Sequence, residues 1–260
     1  PIYCTNINII GNELYGRIRP IYLYYVGVAS TTSQITNNKI YTYGGNNATT
    51  TYTIMCNFWG GTLNIMNNQI PYISTANTVT SGVFGISNLS GQTGAVANMY
   101  NNYIGGTINL TGTGIPTVIS LMYIQDNATY NIYNNTFYYP QVSVATERSI
   151  IHQSGATSNV TLKNNILINA TDAANAYCYW KSNGTIAASD YNDLFVSGAL
   201  ANVGYSSATA RKTLSDWQTA MSLDANSKSK DVVFVSTTNL SLAGASIGDM
   251  DLAADAIGSP

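Results

Sequence analysis

Charge is what this chain has least of: 8% of its 260 residues are Asp, Glu, Lys or Arg, against about 25% in an average soluble domain. Ten basic and twelve acidic residues leave a net charge of -2, which gives no basic footprint for nucleic acid and no polybasic patch for anionic lipid. No apolar run approaches the about 18 to 20 residues that cross a membrane as a helix, so no membrane insertion is expected. Histidine occurs once and cysteine three times. Disorder is excluded from the other side: 20 Tyr and 45% hydrophobic residues are far too many for a disordered chain and enough for one sizeable core.

What is present is a repeat, the first thing to look for in such a chain. Its type copy is Tyr130-Asn131-Ile132-Tyr133-Asn134-Asn135-Thr136-Phe137, an alternating stretch followed by an Asn pair and then by an apolar residue. Relatives stand at Ile7–Leu14, Leu63–Ile70, Ala97–Ile104 and Val160–Leu167, a half copy at Ile35–Ile40, and a degenerate one at Ala188–Phe195. From pair to pair the spacings are 26, 30, 34, 33, 30 and 28 residues.

Alternation with period two means a strand with one face buried, and a single strand cannot bury its face alone. If each period is one coil of a solenoid, equivalent strands stack in parallel at about 4.8 Å and equivalent side chains form ladders. Two apolar ladders are expected: Leu14, Ile40, Ile70, Ile104, Phe137, Leu167 and Phe195, and Ile9, Ile35, Ile65, Met99, Ile132 and Leu162. The Asn pairs should form a third, structural ladder of Asn12, Asn38, Asn68, Asn102, Asn135 and Asn165, because Asn tolerates a left-handed bend and its amide can bond the next coil. Asp193 is expected to stand in for Asn in the last coil. Further strand-like runs at 51–55, 83–86, 118–124, 149–152 and 176–180 supply the remaining side of each coil. In this register Cys4, Cys56 and Cys178 lie at least two coils apart, about 10 Å, too far for a disulfide; all three read as buried small hydrophobes.

Asn-Asn-x-apolar after a short alternating strand resembles the coil repeat of right-handed parallel β-helix proteins, the pectate-lyase-like superfamily and its bacterial secreted and cell-surface relatives. The resemblance covers roughly residues 1–205 and implies an all-β, right-handed parallel β-helix of about seven coils and an extracellular or cell-surface location. It implies no reaction, since that fold carries lyases, hydrolases, phage spikes and adhesins alike.

Residues 206–260 break the rhythm. Thr213-Leu214-Ser215-Asp216 reads as a capping box opening a short helix with Trp217, Ala220 and Met221. With Asp224–Ser227 and Phe234-Val235 it resembles the tail of many secreted bacterial β-helix proteins, although Val232-Val233 stands where a proline is expected. Such a tail covers the open end of a solenoid. The chain starts within a coil and ends abruptly, so it reads as part of a longer polypeptide.

Enzymes on this fold need carboxylates converging from adjacent coils. Asp190 and Asp193 have Leu162 and Asn165 beneath them in this alignment, which is no carboxylate ladder. His152, flanked in register by Met122 and Trp180, sits near Glu147-Arg148, read as a solvated ion pair beside a hydrogen-bonded histidine. Catalytic residues, metal ligands and cofactors are therefore not assigned. Calcium is conceivable at Asp249, Asp251 and Asp255, but three spaced acids do not make a site. Tyrosine is the better lead: Tyr100, Tyr133 and Tyr191 precede the Asn pair on the outward side, and Tyr41, Tyr43, Tyr103, Tyr138 and Tyr139 follow it. Flat amphipathic rings suit stacking on sugar or protein, so Tyr41, Tyr43, Tyr100, Tyr103, Tyr133, Tyr138 and Tyr139 are the candidate binding residues.

The expectation is a non-catalytic secreted or cell-surface module, structural or adhesive, contacting polysaccharide, a surface protein or copies of itself. The alternative is a polysaccharide lyase or glycoside hydrolase. Ice binding by a flat Thr/Asn face also fits the low charge, but no Thr-x-Thr ladder repeats in register.

Overall fold

The computed structural model describes residues 3–47, 50–77, 82–114, 116–142, 147–236 and 239–243; the candidate acids Asp249, Asp251 and Asp255 lie outside them. The chain is an all-β parallel solenoid, a parallel β-helix with one short helix near its C-terminal end. Each coil contributes one strand to each of three sheets. The first sheet stacks Asn8–Ile10, Thr32–Thr36, Thr62–Met66, Val96–Tyr100, Thr129–Tyr133, Asn159–Lys163 and Thr185–Asp190. The second stacks Glu13–Gly16, Lys39–Asn47, Gln69–Asn77, Tyr103–Leu110, Thr136–Tyr139, Ile166–Asn169 and Asp193–Val196. The third runs from Ile21–Val26 through Thr51–Trp59, Val83–Leu89, Val118–Ile124, Glu147–Gln153 and Ala176–Lys181 to Asn202–Ser206, and ends on an antiparallel strand, Thr209–Arg211.

The register follows the repeat. Ile9, Ile35, Ile65, Met99, Ile132 and Leu162 are paired in turn, and from Ile35 onward they are buried. In the second sheet Ile104 pairs with Ile70 and Phe137, and Leu167 pairs with Leu194. The last member is thus Leu194, not Phe195, which pairs with Ile168. The slip has a conformational origin. Asn37, Asn67, Asn101, Asn134 and Asn164, the first residue of each pair, turn the chain with φ of 55 to 58°. In the last coil that left-handed position is held by Tyr191, φ 57°, a bulky residue that pays roughly 1 kcal/mol or more to be there. The pair is therefore Tyr191-Asn192, and Asp193 belongs to the strand that follows.

The second residue of each pair forms the ladder. The backbone N–H and the side-chain Nδ2 of Asn68 both donate to Oδ1 of Asn102, each at 3.0 Å, and Nδ2 also donates to the Ile35 carbonyl at 2.8 Å. Oδ1 of Asn68 accepts the same two bonds from Asn38. The pattern repeats at Asn102, Asn135 and Asn165, all buried, while Asn12 at the first coil is exposed. Each inner amide therefore ties three coils together with no donor left over.

Asn192 hands the ladder to the tail. Its N–H donates to Ser227 Oγ at 2.9 Å and its Nδ2 to Asp224 Oδ1 at 3.0 Å. Trp217, on the helix Leu214–Met221, donates Nε1 to the other oxygen of Asp224 at 2.9 Å. Its ring lies on Gly204, where a Cβ would come within 2.2 Å of it. The capping box at Thr213 and Asp216 is formed. Lys228 bridges to Asp193, so one more segment of backbone pairs with the open edge of the second sheet.

Replacing Asn102 by Ala leaves the N–H and Nδ2 of Asn68 without an acceptor in a buried site, at about 1 to 3 kcal/mol for each unmade bond. Urea unfolding of Asn102→Ala should show a loss of about 3 kcal/mol or more, and of Asn12→Ala under about 1 kcal/mol. Equal losses would show that the ladder is not what holds the bend.

Candidate binding faces

The three outer faces differ. Across the second sheet Tyr15, Tyr41 and Tyr43 form a stack, Tyr15 on Tyr41 at 4.8 Å and 3° and on Tyr43 at 5.9 Å; Tyr43 contacts Tyr72 at 5.1 Å. Tyr15 is 61% exposed and Tyr43 47%. The Tyr15 hydroxyl donates to Glu13 at 2.5 Å, and that bond, more than any other influence, pushes its pKa up to about 12. Lys39 Nζ lies 5.3 Å from the centre of the Tyr41 ring. Further along the sheet the tail covers the outer face: Phe234 packs edge-on against Tyr138 at 5.5 Å. Tyr103 lines a cleft of about 470 Å³ with Lys39, Gln69, Pro71 and Asn239. Tyr139 is corrected as a binding residue, because it points into the core with 0% exposure; burial also pushes its hydroxyl pKa well up.

The third sheet carries a row of rings that the sequence reading missed. Tyr52, Phe84, Tyr123, His152, Trp180 and Tyr205 follow one another from coil to coil at centroid distances of 5.3, 4.7, 5.1, 4.9 and 5.2 Å. His152 is stacked on Trp180 at 15°, with Tyr123 rather than Met122 beneath it. Spacing alone hid the row because strict alternation fails in this sheet: consecutive residues such as Ile150 and Ile151 are both fully buried, which moves the outward positions by one.

Glu147 and Arg148 are not a solvated pair. They are neighbours on a strand and both are buried. Glu147 Oε1 lies 3.1 Å from His152 Nδ1 and accepts from Ser149 Oγ at 3.0 Å, whereas Arg148 reaches Asn175 Oδ1 at 2.5 Å. His152 Nε2 is 2.7 Å from Ser182 Oγ. Ser182, His152 and Glu147 thus stand in the order of nucleophile, base and acid. Two features speak for a structural role: Glu147 lies at contact distance but off the Nδ1–H axis, since Nδ1 makes no hydrogen bond, and the amides of Ser182 and Asn183 both donate to the Gln153 carbonyl.

The other acids are also committed. Asp126 is buried, accepting Nε1 of Trp59 at 2.7 Å and the hydroxyl of Tyr130 at 2.5 Å, and burial raises its pKa. Asp190 pairs in register with Lys163, not Leu162, and accepts the Asn226 amide and Nδ2, each at 2.7 Å. Among the described residues no three His, Cys, Asp or Glu gather as metal ligands. Cys56 and Cys178 are buried and free, but Cys4, expected to be buried, is free and exposed; it lies before the first coil strand, where an isolated bridge to Val26 is its ladder contact.

The first sheet bears no such clusters. Its two rows through Thr62 and Asn64 are uncharged from the second coil to the sixth, with Val96 the one apolar member, while Lys163 and Asp190 lie in the next row; Asn98 Nδ2 donates to Asn64 Oδ1 and Asn131 Nδ2 to Asn98 Oδ1, each at 2.9 Å. Tyr100 and Tyr133, expected here as binding residues, stack on each other at 5.3 Å and 20°, so they turn edges outward. Tyr191 left this row for the turn. No helix among the described residues is long and apolar enough to cross a membrane. Comparison with protein-family models, curated proteins and solved structures finds no match to the chain.

Asp193 offers a pH test of the tail. Burial pushes its carboxyl from 3.8 up to about 7, opposed by the Lys230 amide at 2.8 Å and reinforced by Asp231. The folded state then favours the protonated acid, so its contribution is complete below about pH 4 and is lost as pH rises to about 7. Asp193→Asn, which keeps an acceptor for Lys230, should flatten that slope and raise stability at pH 8 by on the order of 2 kcal/mol. An unchanged slope in denaturant titrations would refute the assignment.

Proposed function

We propose that this chain is a non-catalytic β-helix module of a secreted or cell-surface protein, structural or adhesive, related in repeat and tail to the pectate-lyase-like superfamily. The observation that carries the reading is the outer face of the first sheet, an array of neutral side chains at coil spacing, all but Val96 able to hydrogen-bond, with no charged residue in two of its rows from the second coil to the sixth. A rigid surface of this kind loses little entropy on contact, and repetition lets many weak contacts act together. Polysaccharide, a neighbouring cell surface and further copies of the chain are the partners that a neutral face suits.

The lyase or hydrolase reading finds less support. Glu147, Asp126, Asp193 and Asp224 are all buried and engaged with the protein, and Asp190 holds the tail.

Sedimentation of the protein with insoluble polysaccharides, run beside a reducing-end assay with and without calcium, separates the two. Retention without new reducing ends, weakened about tenfold or more by Asn98→Lys, is the expected result. New reducing ends, abolished by Glu147→Gln or Asp193→Asn, would sink the non-catalytic reading.

A further inference from the structure

Two rows run along the outer face of the first sheet. Thr32, Thr62, Val96, Thr129, Asn159 and Thr185 are paired in one row, and Gln34, Asn64, Asn98, Asn131 and Thr161 in the next. From coil to coil the pairs read Thr-x-Gln, Thr-x-Asn, Val-x-Asn, Thr-x-Asn and Asn-x-Thr, so a search for Thr-x-Thr does not find them. The pairing is without a shift from the strand Thr32–Thr36 to the strand Asn159–Lys163. Along each row the step is one coil, about 4.8 Å, and from row to row it is two residues of strand, about 6.6 Å. That is a nearly rectangular grid of hydroxyl and amide groups.

The grid is fixed rather than fluid. The chain of Nδ2 to Oδ1 bonds from Asn131 through Asn98 to Asn64 sets the orientation of each amide, and the Tyr100 hydroxyl braces Asn98 Oδ1 at 3.2 Å. Threonine on a strand has a stiff χ1. Thr32, Asn159 and Thr185 are exposed and the other members half-buried, as expected where side chains stand close together on a sheet.

From this we infer that the face binds ice, the crystalline form of water; the inference rests on the contact role proposed above and names the ligand. To a sugar or a protein the two rows offer neutral hydrogen bonding alone, without the anchors that make a single contact tight. A sugar ring presents an apolar face that seeks an aromatic face; the two rows themselves hold no ring, and Tyr100 and Tyr133 beside them give one face each to their mutual stack. A protein partner needs Trp, Tyr or Arg anchors in pockets, and the two rows hold none. An anionic surface needs basic residues, and the rows hold no charge. What remains complementary is a neutral solid that repeats in two dimensions and offers donors and acceptors in equal measure. A lattice meets every grid point at once, so contacts too weak to hold one water each add up to attachment. Threonine suits this in a second way, because its methyl group excludes mobile water beside the hydroxyl.

The test is partition of fluorescently labelled protein into a slowly growing ice hemisphere, with freezing hysteresis read on the same samples. Wild type should enter the ice and shape its crystals. Thr129→Lys, which sets a solvated charge in mid-grid, should cut incorporation about fivefold or more, while Leu200→Lys, on an exposed residue elsewhere, should leave it unchanged. Far-UV circular dichroism establishes that both variants are folded. Exclusion of folded wild type from ice overturns the inference, as does equal incorporation of all three proteins. If wild type is excluded from ice yet held by an insoluble polysaccharide in a Thr129-dependent way, the contact role survives and the ligand named here falls.

Discussion

One hydrogen-bond pattern underlies the rest of this molecule: the amide of one buried asparagine per coil donating forward to the next coil's Oδ1 and backward to a carbonyl of the coil before. Every other regularity depends on it. The left-handed residue beside it makes the corner between the first and second sheets, the corner sets which residues of the flanking strands face inward, and the inward residues then stack as isoleucine, leucine, methionine and phenylalanine ladders. Asparagine is suited to this place because its side chain carries donor and acceptor together. Aspartate would lose the donors and leucine both. In a dry corner either loss leaves neighbouring backbone groups unpaired.

A ladder of this kind has open ends, and the C-terminal one is closed by chemistry of its own. Asp224 takes the amide of Asn192, the hydroxyls of Ser189 and Ser227, and the indole of Trp217. Four donors around one buried carboxylate let the polar spine stop without a bare group. The tail thus does with Asp, Ser and Trp what each coil does with Asn, and the helix Leu214–Met221 exists to bring Trp217 over Gly204.

Much of this was legible in the sequence because ladders repeat. Five copies of Asn-Asn-x-apolar and one of Gly-Asn-x-apolar located the bends, two apolar rows and the spacing between coils. Errors arose where one coil breaks the rule. Tyr191 occupies the position that asparagine holds elsewhere, which displaced Asp193 and Phe195 by one residue. The broken alternation in the third sheet moved Tyr123 beneath His152. Tyr139 stands two residues after the inward Phe137, so the alternation of its strand turns it into the core and leaves Tyr138 outside. Charge pairing was misread for a simpler reason: neighbours such as Glu147 and Arg148 face opposite ways on a strand. The face of the first sheet was hidden by chemistry rather than by geometry, because its rows mix Thr, Asn, Gln and Val, which share a spacing but neither a size nor a functional group.

The functional reading follows from the same rigidity. Side chains fixed by cross-coil bonds make a surface that is regular, neutral and stiff, and the role proposed for it is contact rather than turnover. The central claim is that the asparagine spine is what makes it stiff. Hydrogen exchange of the backbone amides of Asn38, Asn68, Asn102, Asn135 and Asn165, which donate to side-chain oxygens, tests this directly. The account predicts protection equal to that of the flanking strand amides of Ile65 or Ile132. Exchange as fast as in an ordinary surface turn would show that the bends open on their own, and that the ladders follow from core packing rather than from the spine.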